Sequence, residues 1–211
     1  MQIAVDRFLV IVLFLVSLPA TADSLFRYRA LPQASGIETF GQWVRVLERH
    51  LTEDVPEGSC EETRFNRCHL QRWQAFLEAQ RDRPVMEQIA AVNRYANRLP
   101  YVLDIDNYGV EDYWAIAKEF LDRGGDCEDY AITKFFSLKW LGFPVDRLRI
   151  VVLQDTNLRV PHAVLTVDMN GRHLILDNQI DQVVTDDEIV HYVPVYSINE
   201  EGWWMYAPES S

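Results

Sequence analysis

The chain has 211 residues, and its 32 Asp and Glu against 20 Lys and Arg leave a formal net charge of −12. That balance argues against nucleic acid or anionic membrane as a partner, because both recognise a basic surface. It is compatible with divalent cations, and the length suits one domain with a sizeable core.

Residues 1–22 read as a secretory signal peptide: Arg7 precedes a short apolar run from Phe8 to Leu18, and Ala20 and Ala22 give the small-residue pattern of a cleavage site. The mature chain is then a single domain over residues 23–211, exported in soluble form and periplasmic if the source is a Gram-negative bacterium. No later stretch could cross a bilayer, so no stable membrane insertion is expected once the signal is cleaved. Three cysteines in an oxidising compartment leave one unpaired. Cys60 and Cys68 are near each other in a polar stretch where a local disulfide could close a small loop, which would make Cys127 the lone thiol.

From Gly36, Ile37, Phe40, Val44, Leu47 and Leu51 mark one face of an amphipathic helix. A second helix is predicted over Leu70 to Gln80, with Trp73, Phe76 and Leu77 inward. A third follows Pro84, with Met86, Ile89, Val92 and Ala96, and ends before Pro100. The string Asp104-Ile105-Asp106-Asn107-Tyr108-Gly109 resembles the start of a calcium loop. Tyr108 at a ligand position and Ala115 in place of the closing glutamate make a turn the better reading. A helix from about Glu111 to Leu121, with Trp114, Ala117 and Phe120 inward, leads to Gly124-Gly125.

The stretch that follows carries the chemistry. Asp126 is a good N-cap, and the residues after it run helically to a stop at Gly142, so Cys127 sits in a first helical turn. Unpaired backbone N–H groups and the positive end of the macrodipole there favour the thiolate, the form in which sulfur attacks. Ala131, Phe135, Leu138 and Leu141 bury this helix. Beyond Gly142 the residues turn β-branched and apolar, and Asn170-Gly171 between two apolar runs is a strong hairpin signal. The fold class is α+β, helices first and an antiparallel sheet after.

A two-residue turn at Asn170-Gly171 places Asp177 opposite Val164 and makes His162 its diagonal neighbour on the same face, within hydrogen-bonding reach. A thiolate at a helix start, an imidazole to hold its proton and a carboxylate to orient the ring are the parts of a cysteine acyl-transfer site: Cys127, His162 and Asp177. His50, His69, His173 and His191 read as structural or solvated.

The run Gly125-Asp126-Cys127-Glu128-Asp129-Tyr130-Ala131, the later His162 on an apolar strand, Leu176-Asp177-Asn178, and the closing Pro194-Val195-Tyr196-Ser197-Ile198-Asn199 with Gly202 and Trp203 resemble the bacterial transglutaminase-like cysteine proteinases. Within these the chain is similar to the LapG-type periplasmic proteases. The resemblance implies a papain-like or transglutaminase-like fold and a catalytic triad falling on Cys127, His162 and Asp177. It also implies calcium, held by Asp126 and Glu128 with Asp129. The implied substrate is the N-terminal region of a large repeat adhesin, cut to release it from the cell surface and disperse a biofilm. The implied inhibitor is an inner-membrane receptor for cyclic di-GMP. The acidic cluster alone fits either calcium, which would cancel charge beside the thiol, or ordinary capping of a helix start. Transglutaminase or amidase chemistry would use the same acyl-enzyme, and a non-catalytic calcium-dependent interaction module is the reading from another class.

Overall fold

A computed structural model of the chain describes residues 24–34, 36–52 and 68–209. The signal peptide and Cys60 lie outside the described residues; Cys68 is disulfide-bonded and Cys127 is a free thiol.

The helices come first. A short 3-10 turn at Ile37–Thr39 precedes α1 (Gly41–Thr52), whose buried residues are Trp43 and Val46. The expected face is rotated: Leu51 is 84% exposed, while Phe40 and Leu47 are only partly buried. Trp43 sets the orientation, because its ring meets Phe135 edge-on at 5.4 Å and its Nε1–H donates to the Asn199 carbonyl at 2.9 Å. Next come α2 (His69–Gln80), burying Trp73 and Leu77, and α3 (Val85–Asn97), which starts after Pro84 and buries Ile89, Val92 and Ala96.

One predicted helix is shortened at its start. Residues Asp104–Asn107 form a single helical turn, α4, and the next helix, α5 (Ala117–Arg123), begins six residues later than Glu111. The reason is where the backbone amides go. Tyr113 N–H donates to Asp104 Oδ2 at 2.5 Å and Ala115 N–H to Asp129 Oδ1 at 2.7 Å, so distant carboxylates satisfy donors that a helix would have paired internally. Trp114 is buried all the same.

The last helix, α6 (Cys127–Trp140), is buried almost all round, from Asp129 to Leu138. It packs against α3 and α5 on one side and the sheet on the other, so no stripe of it is left for solvent. The sheet is antiparallel throughout, with order β1-β2-β8-β7-β3-β4-β5-β6 among the described residues. Its strands are β1 (Ser24–Leu25), β2 (Tyr28–Ala30), β3 (Leu148–Asp155), β4 (Val160–Asp168), β5 (His173–Leu176), β6 (Val184–Thr185), β7 (Tyr192–Ile198) and β8 (Trp203–Pro208). Asn170 and Gly171 both take positive φ, 61° and 84°, as the tight hairpin requires, and β4 pairs with β5 in the register that turn implies, Leu165 with Leu176.

Candidate active site

The helix start is built on a close passage of two strands of chain. Gly125 N–H donates to the Pro100 carbonyl at 3.3 Å, and Val102 N–H to the Gly125 carbonyl at 3.0 Å. Gly124 has φ 76°, and a Cβ there would lie 2.3 Å from the Pro100 oxygen; one at Gly125 would lie 2.0 Å from Asp129 Oδ2. Gly125→Ala is therefore expected to cost about 2–3 kcal/mol, since the clash falls on a buried, doubly bonded carboxylate with nowhere to move. Urea unfolding reads this directly, and a cost under about 0.5 kcal/mol would contradict the packing described.

Asp126 occupies the N-cap, and its N–H donates to Asp129 Oδ2 at 3.3 Å, the returning half of a capping box. Cys127 follows as the first helical residue. Its Sγ donates to Glu128 Oε2 at 3.2 Å, and the thiol is pushed well above its ordinary pKa by burial, then by the charges of Glu128 and Asp126; the Ala163 backbone N–H acts the other way. Burial, with the acids beside the sulfur, thus outweighs the favourable helix end.

Cys127 shares a cleft of about 440 Å³ with His162, Ala163, Trp114, Tyr101 and the acids Asp126 and Glu128. His162, on β4, is 4% exposed, and Asp177, just past β5, is 1% exposed. His162 Nε2 lies 2.9 Å from Asp177 Oδ1. Burial would raise the Asp177 carboxyl, but the hydrogen bond and charge of His162, the Gln179 N–H at 2.9 Å and the Tyr192 hydroxyl at 2.6 Å together hold it below the ordinary value. Asp177 is therefore an acceptor, and Nε2 carries the proton it accepts.

Five carboxylates crowd the other side. Asp126 groups with Cys127 and Glu128, with Asp104 and Asp129 in a second set, while Asp104, Asp112 and Glu128 form a third; within each set the ligand atoms lie within 4.8 Å of one another. Burial first, and then Asp126 and Asp129, push Glu128 up to about 10; burial foremost pushes Asp104 up to about 6. Asp104 Oδ1 and Asp126 Oδ1 are buried with no hydrogen-bond partner. Oxygens without donors, pointing into a set of hard-ligand carboxylates, fit a divalent cation such as calcium. Asp129 differs from the other two residues read as metal ligands: both its oxygens already accept backbone N–H groups. Asp104 and Asp112 were missed as candidates. The first lay in the string that looks like a broken calcium loop, and it joins the acids through space, with no loop of that kind around it.

The other histidines stay apart from the cleft. His50 stacks on Phe136 at 3.7 Å, and burial lowers it to about 4.

Over residues 58–210 the chain matches the family described as bacterial transglutaminase-like cysteine proteinase. The calcium-bound structure of LapG from Legionella pneumophila is 30% identical, with 77% of this chain and 86% of that one covered and a TM-score of 0.61. The EGTA-treated form is 29% identical over 82% of this chain and 87% of that one, again at 0.61. No curated protein sequence gives a significant match.

Proposed function

The chain belongs to the bacterial transglutaminase-like cysteine proteinases, and we propose that it is a calcium-dependent periplasmic cysteine endopeptidase using Cys127, His162 and Asp177. The observation that carries this reading is one cleft holding a free thiol at the start of α6 and an imidazole whose far nitrogen is bonded to a buried carboxylate.

The chemistry follows from the atoms. His162 Nδ1 takes the thiol proton, and Cys127 sulfur attacks the scissile carbonyl while the Cys127 N–H faces the developing oxyanion. Collapse breaks the C–N bond, and the imidazolium returns its proton to the leaving amine. Water, deprotonated by the same imidazole, then cleaves the thioester to a carboxylate and regenerates the thiol. Asp177 holds the ring in the tautomer that keeps Nδ1 available throughout. Calcium, held by Asp126 and Glu128 with Asp104 and Asp129 from the adjoining group of acids, would supply positive charge beside the thiol. The resemblance to LapG-type proteases supports the rest of the reading: the N-terminal region of a large repeat adhesin as substrate, its release promoting biofilm dispersal, and inhibition by an inner-membrane cyclic di-GMP receptor.

The test is incubation of the mature protein with a purified N-terminal fragment of a large repeat adhesin from the same source, with calcium and with a chelator. A single new fragment that forms only with calcium, carrying a free carboxyl end, is expected. Transfer to an added amine in place of hydrolysis would assign the transglutaminase alternative. No cleavage by folded, calcium-loaded protein would overturn the substrate assignment.

A further inference from the structure

Asp177 carries two oxygens, and they are held from opposite sides. Oδ1 accepts from His162 and from the Gln179 backbone, whereas Oδ2 accepts the Tyr192 hydroxyl at 2.6 Å in a buried setting. A carboxylate turns easily about its last torsion, so an oxygen pinned on one side alone does not fix the plane that the imidazole sees. The Tyr192 ring also packs against the imidazole, with centroids 5.7 Å apart and planes at 60°. We propose that Tyr192 is a positioning residue for the cysteine chemistry, clamping Asp177 by its hydroxyl and packing its ring against His162, with Phe26 of the N-terminal hairpin as its backing.

Phe26 gives that backing an independent sign. It lies in the two-residue turn between β1 and β2, with φ 52°, and Arg27 after it has φ 68°. A bulky aromatic side chain is a poor occupant of the left-handed region, where asparagine or glycine is the usual choice. Here the ring is 3% exposed and meets Tyr192 edge-on at 5.5 Å, while its N–H donates to Asp186 Oδ2 at 3.0 Å. Backbone strain held in place by packing against a site residue is the pattern expected where the packing serves the site.

This inference rests on the protease reading, and its test separates the two. Tyr192→Phe keeps the ring and removes only the hydroxyl. It is expected to lower kcat about tenfold with KM within about twofold, the scale on which outer partners of an active histidine act. It should also shift the His162 ring nitrogens in the spectrum of protein labelled with 15N-histidine, as the single tautomer gives way to a mixture. An unchanged spectrum, or kcat within about twofold of the parent, would overturn the proposal. A changed spectrum in proteins that cleave no adhesin fragment would support the clamp and overturn the substrate assignment, because the spectrum needs no substrate. Phe26→Asn suits the backbone and removes the ring; it is expected to lower kcat about threefold with the same spectral sign, and an unchanged kcat would overturn the part given to Phe26.

Discussion

Cys127→Ala is expected to abolish cleavage, with kcat falling about a thousandfold or more, while the urea unfolding midpoint stays close to that of the parent. The loss follows because no other nucleophile is in place: the remaining lining groups of the cleft are aromatic, aliphatic or carboxylic, apart from His162, whose Nε2 is committed to Asp177. The fold should survive because the change removes one sulfur atom at the wall of the cleft, and its hydrogen bond goes to Glu128, a carboxyl crowded by its neighbours. Losing that bond costs about 1 kcal/mol. Mass spectrometry of the digest and unfolding in urea check the two halves. Cleavage persisting at more than about one per cent of the parent rate would remove Cys127 from the mechanism.

The parts of this site written in local signals were readable in advance. Asn170-Gly171 fixes a hairpin because both residues tolerate positive φ, and the register that follows carries His162 to Asp177. Asp126 and the glycines before it mark the helix start by the same kind of short-range chemistry. What was not legible is what depends on partners far along the chain. Trp114, Ala117 and Phe120 have helical spacing, yet residues 111–116 stay outside any helix because Asp104 and Asp129 take the amides of Tyr113 and Ala115. Tyr192 stands in a strand with no motif, and only the fold brings its hydroxyl to Asp177. Lys134 is a further case: helical periodicity gives no reason for a lysine with no exposed surface, which burial lowers to about 7 while Asp177 and Asp181 pull the other way.

The second large effect concerns the acids. In chelator, the unfolding midpoint is expected to fall as pH is raised from about 5 to about 8, and calcium is expected to offset that fall. The sign follows from the raised carboxyls Glu128, Asp104 and Asp129, which outnumber His50 and Lys134, two lowered bases that act the other way. Glu128 moves from 4.5 up to about 10 and Asp104 from 3.8 up to about 6, so both bind protons more tightly in the folded chain than in the unfolded one. Such groups contribute stability that is fully present below the unfolded pKa and is lost as pH rises through the folded one. For Asp104 the window is about 4 to 6; for Glu128 it opens near 4.5 and extends to about 10. Calcium binds the ionised carboxylates, so its contribution grows over the same range, reaching about 2.7 kcal/mol when free calcium is a hundredfold above Kd. Glu128→Gln keeps the shape and replaces a carboxyl that the folded chain holds protonated without calcium. In chelator at pH 8 it should melt no lower than the parent, because the cost of keeping that group protonated has gone; in calcium it should show less than about half of the parent's gain, because a ligand has gone too. Thermal melts at both pH values, with and without calcium, read both effects at once. A calcium gain undiminished in Glu128→Gln would take Glu128 out of the cation site, and a midpoint in chelator that falls with pH as steeply in Glu128→Gln as in the parent would mean that Glu128 is not crowded as the geometry has it.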